Sequence, residues 1–225
     1  MEFELFENLP TFGTIKKFLP QEIEKESMRI IKTELLKNGI SLSPENEKVI
    51  LRCIHTTADF DYAKNLCFSE NAVLTVKELL RTGRPVIVTD TNMALSGISE
   101  PFCRKFGIEK FCFMADSDVA ELSKKSGLTR AVCSVDKAAK FFDERPIIFA
   151  VGNAPTALVR IRQLYDAGIC TPRFVVGVPV GFVNVESAKN LILESDLNYI
   201  VAKGRKGGST VAAAIINALL YDLEN

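Results

Sequence analysis

Two hydrophobic rhythms share the chain. From residue 22 to Gly83 apolar side chains recur at helical spacing. In EIEKESMRIIKTELLK (22–37), Ile23, Ile30, Ile31, Leu35 and Leu36 form a stripe, and Asn38-Gly39 is a stop. Ser43-Pro44 predicts the start of a second helix, with Ser43 as N-cap, Pro44 at the first position and a core face of Val49, Ile50, Cys53 and Ile54. That helix frays near Thr56-Thr57, and a shorter one over 71–82 ends at Gly83. Beyond Gly83 short β-branched runs alternate with helical segments. The runs are 85–89, 110–114, 146–151, 173–178 and 198–202. The helices are 116–125, 129–142, 155–167, 185–195 and 210–223. Strands alternating with helices predict a parallel sheet covered on both faces, and near-continuous apolar strands agree. The expected fold is α/β: a five-stranded doubly wound sheet (84–225) with an N-terminal helical segment (1–83) packed on it as one domain.

The chain has 225 residues, 47% of them hydrophobic, with 28 basic and 28 acidic side chains. A domain of this length buries roughly 70–75% of its unfolded surface, so no disulfide or metal staple is required. A net charge of zero argues against a protein that coats nucleic acid. The acidic opening MEFELFENLP lacks a signal-peptide layout, and the longest apolar stretches fall short of the ~20 residues that span a bilayer. Six cysteines without a Cys-x-x-Cys pair suit a reducing cytoplasm. Metal-ligand spacing is absent. Asp116 and Asp118 read as helix-start residues, and Phe102, Phe106, Phe111, Phe113, Phe141 and Phe142 as core.

In doubly wound sheets ligands sit beyond the carboxyl ends of the strands. Those ends carry Asp90-Thr91-Asn92, Gly152-Asn153-Ala154-Pro155, the loop from Val178 to Asn184, and Gly204-Arg205-Lys206-Gly207-Gly208-Ser209. Glycines admit close backbone approach, and helix N-termini favour negative groups, with Pro155 and Ser209 placed to start helices. Such residues also serve merely to turn a loop. The order G-x-x-x-x-G-K-[ST] is missing, and no strand is followed by G-x-G-x-x-G. Val178–Val183 is unusually apolar for a loop, which fits contact with an apolar ligand face or a second subunit.

His55, the only imidazole, ends the second helix. The helix dipole favours its charged form, as do Asp59 and Asp61 if they fold back, while Arg52 opposes it. It is open to two readings, a proton donor or a cap on helix carbonyls. Arg130, after the N-cap candidate Thr129, is a partner for a ligand carboxylate or a surface arginine. Ser27 is a helical serine of unknown facing.

The strings EIEKESMRII, RCIHTTADF, VTDTNMALSGI, LTRA, AVGNAPTAL, GVPVGFVNVESAK and GRKGGSTVAAAIINALL run in order along nearly the whole chain. Together they resemble the precorrin-8X/cobalt-precorrin-8 methylmutases of corrin (cobalamin) biosynthesis. Met28, Ala58 and Arg162 depart from the family pattern. The resemblance implies a flavodoxin-like three-layer α/β/α sandwich and a homodimer with the site beside the subunit interface. It implies an isomerase that moves a methyl group from carbon 11 to carbon 12 of a contracted tetrapyrrole. The product is hydrogenobyrinate, or cobyrinate where the substrate carries cobalt. The family's catalytic histidine falls on His55, its substrate-contacting serine on Ser27 and an arginine near the substrate on Arg130.

An intramolecular shift needs a polarised π-system and a proton, but no cofactor; any cobalt belongs to the substrate. His55 is the expected proton donor and acceptor, Ser27 bonds the substrate near the reacting ring, and Arg130 pairs with a peripheral carboxylate. Arg52 and Asp90 support them. Asn153, Gly181, Arg205, Gly207 and Ser209 line carboxylate-binding loops. A corrinoid carrier without chemistry, and a nucleotide enzyme using GRKGGST, are the alternatives.

Overall fold

The computed structural model describes residues 18–142 and 145–224. The acidic opening segment lies outside them. The elements run α1 (Pro20–Lys37), α2 (Glu47–Thr57), α3 (Tyr62–Asn65), β1 (Leu66–Phe68), α4 (Ala72–Thr82), β2 (Val86–Thr89), α5 (Asn92–Gly97) and α6 (Glu100–Phe106). They continue through β3 (Glu109–Phe111), α7 (Ser117–Ser126), α8 (Arg130–Phe141), β4 (Ile147–Val151) and α9 (Pro155–Asp166). The last are β5 (Phe174–Gly177), α10 (Val185–Leu193), β6 (Tyr199–Ala202) and α11 (Ser209–Tyr221), with a final 3-10 turn over Asp222–Glu224.

The sheet order is β1-β6-β5-β4-β2-β3. β2 to β6 are mutually parallel, in the flavodoxin-like order for five strands. The sheet has six strands rather than the five expected. β1 joins β6 antiparallel, with Leu66 opposite Ala202. Only three residues long and directly after the α3 turn, β1 shows no alternation of its own; pairing with β6 makes it a strand. The N-terminal segment is therefore a contributor to the sheet as well as a helical cover.

β2, β4 and β5 are buried at every residue. Ile87, Ile148, Ala150, Phe174 and Val176 point to one face, where they meet α2, α4, α5 and α11. Val88, Phe149, Val151 and Val175 point to the other, against α8, α9 and α10. Period-two alternation of doubly covered strands requires two apolar layers of this kind. α11 is buried along almost its whole length; its small residues Ala212, Ala213 and Ala214 let neighbouring helices come close.

Several local expectations need correction. α2 starts at Glu47 with Asn46 as N-cap, and Ser43–Asn46 forms a turn, since Asn46 and Glu47 both donate to the Ser43 carbonyl. Its C-terminus closes at Ala58 in a left-handed conformation (φ 55°). The α1 stripe is only half used: Ile31 and Leu35 are buried, whereas Ile23, Ile30 and Leu36 are exposed. Phe141 is 64% exposed, because its neighbour Phe142 turns inward in its place. The second expected strand (110–114), which is β3, ends at Phe111 rather than Met114, and α6 is an additional short helix. Asp116 caps α7 and, with Asp118, holds Lys137 at 2.7–2.8 Å.

Gly152 fixes the distance between β4 and α11. A Cβ there would stand 2.6 Å from the Ser209 Cα. The Ser209 nitrogen (2.8 Å) and the Gly208 oxygen (2.9 Å) stand nearly as close, and all three atoms belong to backbone, which cannot swing aside. Gly152→Ala is expected to lower stability by about 2–3 kcal/mol, the upper part of the usual overpacking range, because the site is rigid. Urea unfolding followed by circular dichroism measures it.

Candidate active site

At the switch point between β2 and β4 a buried carboxylate organises the loops. Asp90 follows β2 and is 5% exposed. Its Oδ1 accepts from the Gly152 N–H (2.8 Å), and its Oδ2 accepts from Asn153 (2.8 Å) and Ala154 (2.7 Å). Burial raises the Asp90 carboxyl above its ordinary range, and the three N–H donors pull it back. A proton on either oxygen would face a donor, so the geometry calls for the carboxylate.

The neighbouring loops interlock with this one. The Thr91 hydroxyl caps α5 by accepting from Ala94 and lies 2.8 Å from the Ser209 hydroxyl. Ser209 is the first residue of α11 and not its N-cap, a position that Gly208 takes. Gly208 donates to the Val178 carbonyl (2.9 Å), and Gly181 donates to Arg205 (3.3 Å). A Cβ on Gly207 would come within 2.1 Å of the Val178 oxygen, so only glycine lets these loops touch. Arg205 pairs with Glu186 (2.9 Å) and lies over the Phe182 ring (5.6 Å). Phe182 and Val183 are 83% and 78% exposed, so the apolar loop presents side chains outward.

Arg130 is the first residue of α8, capped by Thr129, whose hydroxyl lies 3.0 Å from that of Thr156 on α9. The N-termini of α8 and α9 are thus neighbours, with exposed Arg130 and Asn153 at the same edge. Arg130 is exposed and forms no ion pair among the described residues.

His55 lies on a different wall. It is exposed in the last turn of α2, in a groove of about 390 Å³ between α2, α5 and α11. Arg52, Met93, Gly97, Thr210, Asn217 and Tyr221 are among its lining residues. The imidazole bonds no helix carbonyl among the described residues; the Ala58 N–H closes the helix instead, donating to Ile54 (2.7 Å). Asp59 and Asp61 do not turn toward His55. They hold Lys206 at 2.7 and 2.6 Å, which keeps the Asp59 carboxyl below its usual range. Arg52 bonds Glu24 (2.6 Å) and lies over the Tyr221 ring (5.2 Å). Ser27, one turn beyond Glu24 on α1, is half-buried, and its hydroxyl donates to the Ile23 carbonyl (2.8 Å).

The structure therefore gathers Asp90, Asn153, Gly181, Arg205, Gly207, Ser209 and Arg130 along the carboxyl edge of the sheet. His55 and Arg52 belong to the adjoining groove; Ser27 does not line it, and α1 reaches it only through the bond of Glu24 to Arg52. Thr210, next to Ser209, lies in that groove and joins the two regions.

The precorrin-8X methylmutase family profile matches residues 22–222. The chain belongs to the precorrin-8X methylmutase family. It is 43% identical over 208 residues to the cobalt-precorrin-8 methylmutase of Salmonella typhimurium, covering 91% of this chain and 96% of that one. It is 39% identical to the protein of that name from Leptospira interrogans (90% and 93% covered) and 30% identical to the precorrin-8X methylmutase of Pseudomonas aeruginosa (91% and 96%). The crystal structure of the Thermus thermophilus precorrin-8X methylmutase superposes with a TM-score of 0.81 at 35% identity, covering 90% of this chain and 98% of that one. The methylmutases are isomerases of corrin biosynthesis, and no helix among the described residues is long and apolar enough to cross a membrane.

Two lysines near the site escaped sequence reasoning. Lys189 is fully buried, and its Nζ donates to the Gly204 (2.7 Å) and Lys206 (2.8 Å) carbonyls. Its signal was its position: Lys189 follows Val185 by one turn and shares the inward face of α10 with Ala188 and Ile192. Lys206 stood inside GRKGGST, but its partners are distant in sequence.

Asp90→Asn places an amide N–H₂ against one or two of the three backbone donors. It is expected to cost about 2–4 kcal/mol, the loss of charged hydrogen bonds plus a buried donor left unpaired. Guanidinium denaturation of the variant against the parent checks this.

Proposed function

We propose that this chain moves a methyl group from carbon 11 to carbon 12 of a contracted tetrapyrrole, and that cobalt-precorrin-8 is its substrate. The observation that carries the reading is His55, an exposed imidazole without a polar partner among the described residues, lining a groove in a chain of this family. Names favour the cobalt form. Curated relatives at 43%, 39%, 37%, 35% and 33% identity are called cobalt-precorrin-8 methylmutases, whereas the proteins called precorrin-8X methylmutases stand at 35% (the Thermus thermophilus structure), 30% and 28%. The metal travels with the substrate, and the reading calls for no resident cofactor.

In this reading the His55 imidazolium gives a proton to the conjugated macrocycle. Electron density is drawn toward the protonated atom, and the methyl group migrates to the adjacent carbon with its bonding pair. His55 then takes the proton back, so atoms and charge balance. The rim carboxylates meet Arg130, Arg205 and the N-termini of α9 and α11. Ser27 bonds the substrate near the reacting ring, with Arg52 and Asp90 holding neighbouring elements. A groove of about 390 Å³ covers only part of a macrocycle. We place the remaining face against a second copy of the chain, for which Val180, Phe182 and Val183 offer an exposed apolar loop. Six free thiols suit a cytoplasmic setting.

Incubation with each substrate, followed by visible spectrum and product mass, tests the reading. The expected result is a chromophore shift at unchanged mass, faster with the cobalt form; two unaltered spectra would discard it. His55→Ala is expected to lower kcat by roughly 10²–10⁴-fold, the usual contribution of a general acid–base group. Normal turnover by that variant would remove His55 from the proton role. Sedimentation equilibrium is expected to give twice the 24.9 kDa chain mass.

A further inference from the structure

The ammonium of Lys189 sits where an aliphatic side chain of equal length would pack without the cost of burying a charge. It is fully buried on the inward face of α10. Desolvation is unfavourable unless the charge is well bonded, and here two carbonyls of one loop, those of Gly204 and Lys206, supply the bonds. Burial pushes the Lys189 ammonium down to about 8, so its charge is held at a cost. The same loop is gripped from outside. The Lys206 ammonium lies between the carboxylates of Asp59 and Asp61, in the connection that leaves the helix of His55. The loop's first residue is tied to that connection too, because the Lys203 N–H donates to the Asn65 carbonyl at 2.7 Å.

We propose that Lys189 and Lys206 form a two-sided latch that positions the 203–208 loop against the end of α2. Lys189 sets the loop from the core, and Lys206 sets its distance from the turn that follows His55. Both are positioning residues. Neither needs to touch substrate; the loop they hold carries Arg205 and leads into Ser209 at the start of α11. The consequence for catalysis rests on the methylmutase reading. With the latch open, the loop's donors lose their fixed relation to the groove. Substrate binding suffers first, because the imidazole remains anchored on α2.

The test uses Lys189→Met and Lys206→Met in the full chain. Each is expected to raise KM for cobalt-precorrin-8 about tenfold while kcat changes less than about threefold, the pattern of lost binding that ground and transition states share. Amide hydrogen exchange at 204–208 is expected to quicken in both, with the β4 and β5 amides unchanged. A folded Lys189→Met with the parent KM and parent exchange overturns the latch. Should Lys189→Met fail to fold, Lys206→Met decides alone, since its side chain is at the surface: parent values there overturn it equally. If the parent chain converts neither substrate, the methylmutase reading falls, while the exchange measurement, which needs no substrate, still decides the latch.

Discussion

A single carboxylate governs how the carboxyl edge of this sheet is built. Asp90 directly follows the first strand of the parallel set and accepts three N–H groups from the turn after the next strand over. Those amides sit at the entrance to α9, where helical geometry leaves donors without partners. Sharing them with a side chain from β2 settles their need for acceptors. It also ties the loops after β2 and β4 together where the strand order reverses. Once that turn is fixed, Gly152 can lie against Ser209, and Ser209 can reach Thr91. The loops after β2, β4 and β6 are therefore one object, and β5 joins it through the contacts of Val178 with Gly207 and Gly208.

This interlocking explains the glycine-rich loops better than ligand contact alone. Gly207 is required because a carbonyl occupies the space of its side chain. Arg205, an expected carboxylate binder, already has Glu186 as a partner, so an anion must share or displace that pair. Arg130 has no such partner among the described residues. Of these two guanidinium groups, the one of Arg205 is thus committed and that of Arg130 is not, among those residues.

Much of the fold was legible because parallel strands buried on both faces leave unbroken apolar runs, and the helices between them keep helical spacing. The flavodoxin-like class came from the motif resemblance, as did the role expected of the single imidazole. What escaped has a common cause. β1 is three residues long and becomes a strand only by pairing with β6. The start of α2 shifted because Pro44 suits a turn as well as a first helical position. Asp59 and Asp61 were assigned to His55 by nearness in sequence, yet Lys206, far along the chain, captures both. Local pattern reports periodicity and capping; it is silent about which distant charge arrives.

The antiparallel strand has one more effect. Between His55 and Leu66 the backbone is held at both ends, by α2 packed on α11 and by β1 zipped to β6. The imidazole thereby inherits the rigidity of the central framework, although it stands on a solvent-facing helix. The outward loop bearing Phe182 is tied in turn to the segment after β6, through Gly181 and Arg205, so the imidazole and the exposed apolar side chains stand on one continuous scaffold.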